Sequence, residues 1–358
     1  MSFPFLQPYA GLSNSLQTAQ AAGGPGGAVG GWVELARTTL GAVGDTISVT
    51  SLPTKRYYMI LQNILDGGGG SNTTWNRLNN DSGTNYARRI SNNGGADGTG
   101  TSETELKTDA WGGGTNKFFV HYLANKSDEE KLITGQMIDA TNVGAGYVPN
   151  RTENVFKWAN TSNNFSRIDA LNQGSGDYAS GSEVVVLGWD PDDTHTSNFW
   201  EELASVELGS DSAQISSGTI SAKKYLWCQV YLQTASNSND VFVQFNNDTG
   251  SNYAHRNSNV FNSDTTGTSQ SNARLIDRNG AADQGRFVNF FVINNSANEK
   301  LIISHGTEEE TSTAAYAPTS AETVAKWTNT SSQITEIDCF TDTGNLRSGA
   351  IMKVWGAD

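Results

Sequence analysis

The chain is poor in the residues that most often carry chemistry or staple a fold. Two of its 358 residues are cysteine, Cys228 and Cys339. Two thiols make neither a metal spacing nor a dense disulfide framework, so buried free thiols in strands are expected; a bridge between the two is the alternative. The four histidines, His121, His195, His255 and His305, stand at no H-x-H or H-x-x-x-H spacing. Positive charge is scarce: 23 Lys and Arg against 37 Asp and Glu leave a net charge of −14. No basic stripe exists to displace counterions from nucleic acid, and an anionic membrane surface is disfavoured for the same reason. No apolar run approaches the roughly 18 residues of a transmembrane helix. The first residues lack the basic start and continuous apolar stretch of a secretory leader. Proline is rare, 7 against 38 glycines, and no Gly-X-Y period is present, which excludes a collagen-like chain.

What is present is neutral and polar. Only 17% of residues are charged and 36% hydrophobic, so Ser, Thr, Asn and Gly must build much of the surface. Nine tryptophans and 9% aromatics are too many for a disordered chain.

The chain repeats itself. Trp32-Val33-Glu34-Leu35-Ala36 recurs as Trp200-Glu201-Glu202-Leu203-Ala204. Asn79-Asn80-Asp81-Ser82-Gly83-Thr84-Asn85-Tyr86 recurs as Asn246-Asn247-Asp248-Thr249-Gly250-Ser251-Asn252-Tyr253. Trp158-Ala159-Asn160-Thr161-Ser162 recurs as Trp327-Thr328-Asn329-Thr330-Ser331. Two repeats follow, at 32–190 and 200–358, joined by a short polar linker at 191–199 and preceded by an unmatched segment at 1–31. A unit of this size is a domain rather than a solenoid repeat.

Within each repeat the apolar residues alternate or form short continuous runs, the signature of strands. Lys117–Leu123, Glu183–Leu187, Arg286–Ile293 and Ala350–Trp355 are examples. Asn-Asp-x-Gly and Gly-rich clusters between them supply the positive-φ positions of tight turns. We expect eight to ten strands per repeat and no long amphipathic helix. The fold class is all-β: two tandem jelly-roll-like β-sandwiches preceded by an extended N-terminal arm.

Few motifs carry chemistry. The loops around Asn80, Asp81 and Tyr86, and around Asn247, Asp248 and Tyr253, read first as hairpins. There Asp caps the turn and Tyr re-enters the sheet. The alternative is a ligand loop for a sugar or Ca²⁺, although calcium wants more converging carboxylates. Trp158 and Trp327 read as core residues whose indole N–H finds a backbone partner; a sugar-stacking platform is the other use. Asp128-Glu129-Glu130 and Glu308-Glu309-Glu310 read as solvated loops, since Asp128-Glu129-Glu130 aligns with Ala297-Asn298-Glu299, which keeps one carboxylate; a carboxylate pair for glycoside hydrolysis in a single active copy is the alternative. No G-x-S-x-G elbow and no phosphate-binding loop occurs. No catalytic residue, cofactor or metal is expected.

Residues 1–31 carry Phe3, Phe5 and Leu6 near the tip and a Gly23-Gly24-Pro25-Gly26-Gly27 tether. This is the layout of an anchoring peptide that orders on binding a neighbouring subunit. The alternative is a disordered leader.

The strings W-V-E-L-A-R-T-T-L-G, F-N-N-D-T-G-S-N-Y, W-x-N-T-S and G-S-E-V-V-V-L-G-W-D resemble structural proteins of tailed bacteriophages. The resemblance covers both repeats and leaves out the arm. It implies a non-enzymatic virion component on the particle exterior, assembled in the host cytoplasm, and it transfers no functional residue. The leading expectation is a capsid decoration or cement protein docked through the arm. The alternative is a tail or fibre component that binds a host receptor or glycan; a carbohydrate-binding module or carbohydrate-active enzyme is the weaker third. Its partners would be capsid or tail proteins of the same virion. Homo-oligomers are the default for such parts, trimers among them.

Overall fold

The computed structural model describes residues 31–191, 193, 197–235, 240–259, 264–277, 284–309, 314 and 317–358. Phe3, Phe5, Leu6 and His195 lie outside the described residues. Every regular element among those described is a strand, as the period-two patterning requires. In the first repeat these are β1 (Val33–Thr39), β2 (Thr46–Val49), β3 (Tyr57–Ile64), β4 (Thr74–Leu78), β5 (Tyr86–Asn92) and β6 (Gly98–Glu103). They continue with β7 (Lys117–Ala124), β8 (Lys131–Asp139), β9 (Asn150–Trp158), β10 (Ile168–Asn172) and β11 (Glu183–Trp189). The second repeat runs β12 (Glu201–Glu207), β13 (Gln214–Ser216), β14 (Tyr225–Gln233), β15 (Val241–Phe245), β16 (Tyr253–Asn259) and β17 (Thr265–Gln270). It ends with β18 (Ala273–Ile276), β19 (Gly285–Ile293), β20 (Lys300–Glu308), β21 (Thr319–Trp327), β22 (Ile337–Thr341) and β23 (Ile351–Ala357).

Both repeats have the same topology. In the first, an eight-stranded antiparallel sheet ordered β1-β11-β3-β7-β8-β9-β5-β6 faces the three-stranded sheet β2-β10-β4. In the second, β12-β23-β14-β19-β20-β21-β16-β17 faces β13-β22-β15-β18. The extra strand β18 corresponds to a single bridge, Asn76 to Leu106, in the first repeat. The register is duplicated as well. Bulges fall between Glu34 and Ala36 and between Glu202 and Ala204, then between Tyr86 and Arg88 and between Tyr253 and His255. Several short polar strands, such as β6 and β17, lack the apolar signal that marks the others, and they raise the count above eight to ten.

Each sandwich encloses its own core. Ile60, Phe119, Ile133, Phe156, Trp158 and Val186 of the large sheet meet Ile47, Val49, Leu78 and Ile168 of the small one. Leu226, Cys228, Val288, Phe290 and Trp327 meet Ile215, Val243, Phe245 and Cys339 in the second repeat. Cys228 and Cys339 are both free and buried, as expected for thiols in strands.

An antiparallel sheet usually shows its second face to water. Here part of that outer face is apolar because the two repeats stack through it. Met59, Leu61, Phe118, Val120, Ile138, Val185 and Leu187 of the first repeat bury against Trp200, Tyr225, Phe291, Ile293, Leu301, Ile303 and Val324 of the second. Burial on both faces explains why β7 and β19 read as continuous apolar runs. At about 1.5–3 kcal/mol for each large side chain buried, this seam is an integral part of the fold.

Polar groups pin the seam at its margins. The amide of Asn295 donates to Asn63 Oδ1 at 3.0 Å. Glu183 accepts from the Tyr225 hydroxyl at 2.7 Å and from Lys224 at 3.0 Å. Arg151 pairs with Asp264 at 2.8 Å. Buried Lys326 donates to the carbonyl oxygens of Ala140 and Asn142 at 3.1 and 2.5 Å. The linker expected to be merely polar joins in: Phe199 packs on Trp200 with ring centroids 5.0 Å apart. Its backbone N–H donates to Trp32 O at 2.8 Å.

Candidate docking surface

The two Asn-Asp-x-Gly loops have the same geometry. Asp81 accepts from Gly83 N at 2.9 Å, from the Asn85 amide at 2.9 and 3.1 Å, and from Trp158 Nε1 at 2.7 Å. Asp248 accepts from Gly250, Asn252 and Trp327 at the same distances. Burial raises both acids, but these donors outweigh it and hold their pKa values below the ordinary one. Tyr86 and Tyr253 are buried, and their hydroxyls bond the backbone of Leu78 and Phe245. Asn80 and Asn247 sit at positive φ in the turn. These residues lock a hairpin to a core tryptophan. The indole partner is a carboxylate rather than the expected backbone group.

Glu308 is not in a solvated loop. It ends β20 on the inner face, fully buried, and pairs with its cross-strand neighbour Arg286 at 2.7 Å. Strand alternation placed it inward, and the paired cation makes burial tolerable. The matched position in the first repeat carries the pair Lys117 and Asp139 at 3.6 Å, with Asp109 bonding the same ammonium. A cation and an acid at cross-strand positions of both repeats was the available sequence signal. Asp128, Glu129 and Glu130 are in an exposed turn, and Glu130 pairs with Lys157 at 3.0 Å.

The described histidines do not converge. His121 and His255 are buried in different sandwiches, and burial lowers each pKa to about 4. His305 lies on the outer face, with Nε2 3.1 Å from Glu322. No group of three or more His, Cys, Asp or Glu side chains suited to a metal ion occurs among the described residues.

An open apolar trough of about 860 Å³ lies on the outer face of the first repeat. Its floor is Tyr122, Leu132 and Val155; Trp32, Tyr57 and Trp189 make one wall. Tyr57 stacks on Trp189 at 5.5 Å. Arg88, Arg89 and Lys157 line the other side, each engaged by an acid: Glu103, Asp97 and Glu130. Leu132 is 58% exposed, Val155 49% and Tyr57 38%.

Internal duplication shows what this surface is for in the second repeat. The matched residues there are Leu301, Val324 and Tyr225, each 1% exposed, because the first repeat covers them. One half of an outer face therefore seats on the other half of its neighbour's, a heterologous contact that could in principle continue. The matched half-face of the second repeat differs at four positions. Leu61, Val120, Ile138 and Val185 of the seam are matched there by Gln229, Asn289, Thr307 and Lys353. That half-face of the second repeat is therefore mixed, with exposed Tyr231, Phe287 and Ile351 in one cross-strand row beside the polar residues, while the first repeat keeps an open apolar trough.

A polar cleft continues the trough between the repeats, where Gln136, Glu153, His305 and Glu322 meet. Gln136 donates to Glu322 at 2.5 Å, and Arg151 to Glu153 at 2.5 Å. Burial pushes Glu153 and Glu322 up to about 7 in spite of Arg151. Sequence reading missed both trough and cleft, because neither is contiguous in the chain.

No family model matches the chain, and no curated protein matches it. Among solved structures, domains LG4-5 of the mouse laminin alpha1 chain align over 93% of this chain and 92% of that one, at 10% identity and a TM-score of 0.20. The STIV MCP aligns over 91% and 96%, at 10% identity and a TM-score of 0.16. At these scores neither likeness carries an argument.

Proposed function

We propose that this chain is a non-enzymatic structural protein of a virus particle, a decoration or cement protein on the particle exterior docked through residues 1–31. The observation that carries it is the open apolar trough. Two sandwiches are fixed to each other by an apolar seam, and the first repeat keeps an exposed apolar, aromatic surface available for assembly. The net charge of −14 keeps such a body soluble, and the motif resemblance to tailed-phage structural proteins supplies the setting. Many copies on a symmetric shell gain avidity from weak individual contacts.

A second reading draws on the aromatics of the trough. Trp32, Tyr57, Tyr122 and Trp189 are the kind of side chains that stack on sugars, which suits a tail or fibre component binding a host glycan. Imaging of particles labelled with an antibody fragment against the second repeat separates the two. Label over the head is the expected result. Label confined to the tail supports the glycan reading, and unlabelled particles overturn both.

A further inference from the structure

We infer that, in the unassembled protein, the apolar trough of the first repeat is the seat of the chain's own N-terminal segment, residues 1–30. The inference deepens the anchoring reading above: the arm is stored on its own chain before a particle competes for it.

Three observations lead there. The first is the matched trough of the second repeat, which is filled by apolar side chains of this same chain. In the first repeat an apolar aromatic trough of about 860 Å³ is left open to water, the kind of patch that marks a binding surface. The second is that another copy would fill it less well than the first repeat fills the second. At four matched seam positions the face that would dock carries Gln229, Asn289, Thr307 and Lys353 in place of Leu61, Val120, Ile138 and Val185, so it buries less apolar area, although Tyr231, Phe287 and Ile351 keep part of it apolar. The third is the segment itself. It contains no Asp, Glu, Lys or Arg, in a chain that is 17% charged, and it offers Phe3, Phe5, Leu6, Tyr9, Leu12 and Leu16.

Position and reach agree. The segment joins the body at Gly31, next to Trp32, which forms a wall of the trough. The lining extends from β6 across to β11, six strand spacings or about 29 Å. The chain from Gly31 back to Leu6 spans up to about 85 Å when extended. Tethering also raises the local concentration of the segment to the millimolar range, above that of any free competitor at ordinary protein concentrations.

The test uses the full chain with Phe5→Cys combined with Leu132→Cys, oxidised mildly at micromolar concentration. Cys228 and Cys339 are buried and leave the background low. A control pairs Phe5→Cys with Val143→Cys, at an exposed position outside the trough. An intramolecular disulfide forming at least tenfold faster than in the control is the expected result. Equal rates overturn the proposal. A disulfide between chains also overturns it, and makes a second copy's segment the occupant.

A second variant, Leu132→Asp with Val155→Asp, changes two exposed positions and leaves the sandwich core intact. Chymotrypsin, which cuts after Phe, Tyr and Leu, should then cleave within residues 1–16 at least tenfold faster than in the parent chain. Unchanged cleavage would refute the seat. Because both assays use the free protein, their failure leaves the labelling experiment, and hence the virion reading, standing on its own.

Discussion

His121→Phe should flatten one component of the acid response of the first repeat. His121 is 2% exposed on the inner face of β7, and neither ring nitrogen has a protein hydrogen-bond partner of normal geometry. Burial lowers its pKa from 6.5 to about 4, and the neighbouring Asn154 pulls weakly the other way. With the folded value below the unfolded one, the unfolded state binds more protons between them. The stability that neutral His121 contributes is therefore complete above pH 6.5 and is lost as pH falls toward 4. The shift corresponds to about 3 kcal/mol over the whole window, and about 2 kcal/mol of it is gone by pH 5.

Other groups titrate in the same range with the opposite sign. Glu153 and Glu322 are raised by burial to about 7, so their contribution is present at low pH and is lost as pH rises through 7. The wild-type profile is a sum of these, and the difference between wild type and variant isolates His121. Phenylalanine is a fair replacement because Phe290 occupies the matched position in the second repeat. Urea titrations at pH 7 and pH 5, read by hydrogen exchange of peptides from β7 and β8, measure that difference. It should change by about 2 kcal/mol between the two pH values. A change below about 0.5 kcal/mol would refute the burial argument.

Asp81→Ala and Asp248→Ala should each destabilise their own repeat by about 2–3 kcal/mol, since each strands a buried indole N–H that now donates to a carboxylate; thermal melts of the two variants should agree closely. Ile303→Lys puts a charge into the seam and should cost about 3 kcal/mol or more, with a longer molecule in small-angle scattering. Thr134→Lys, the matched position in the open trough, should change stability by less than about 0.5 kcal/mol. Burial raises the pKa of both thiols well above the usual range, so Ellman's reagent should leave Cys228 and Cys339 unmodified in the native chain and titrate both after denaturation.

The amino-acid sequence by itself determined the local and the repeated. Period-two alternation and turn chemistry are short-range properties, so the all-β class and the duplicated hairpins around Asp81 and Asp248 were legible from the residues alone. The recurrence of Trp158 as Trp327 marked a core position correctly, although not the carboxylate that receives its N–H. Tertiary structure decided which face of each strand is covered. Glu308 looked like part of a solvated acidic run, and only the pairing of β19 with β20 brought Arg286 opposite it. The continuous apolar run of β7 told that both faces are buried, yet not what buries the second one. The same outer-face pattern is seam in one repeat and open trough in the other. That outcome depends on which surfaces the chain brings together, a long-range packing choice that no window of sequence encodes.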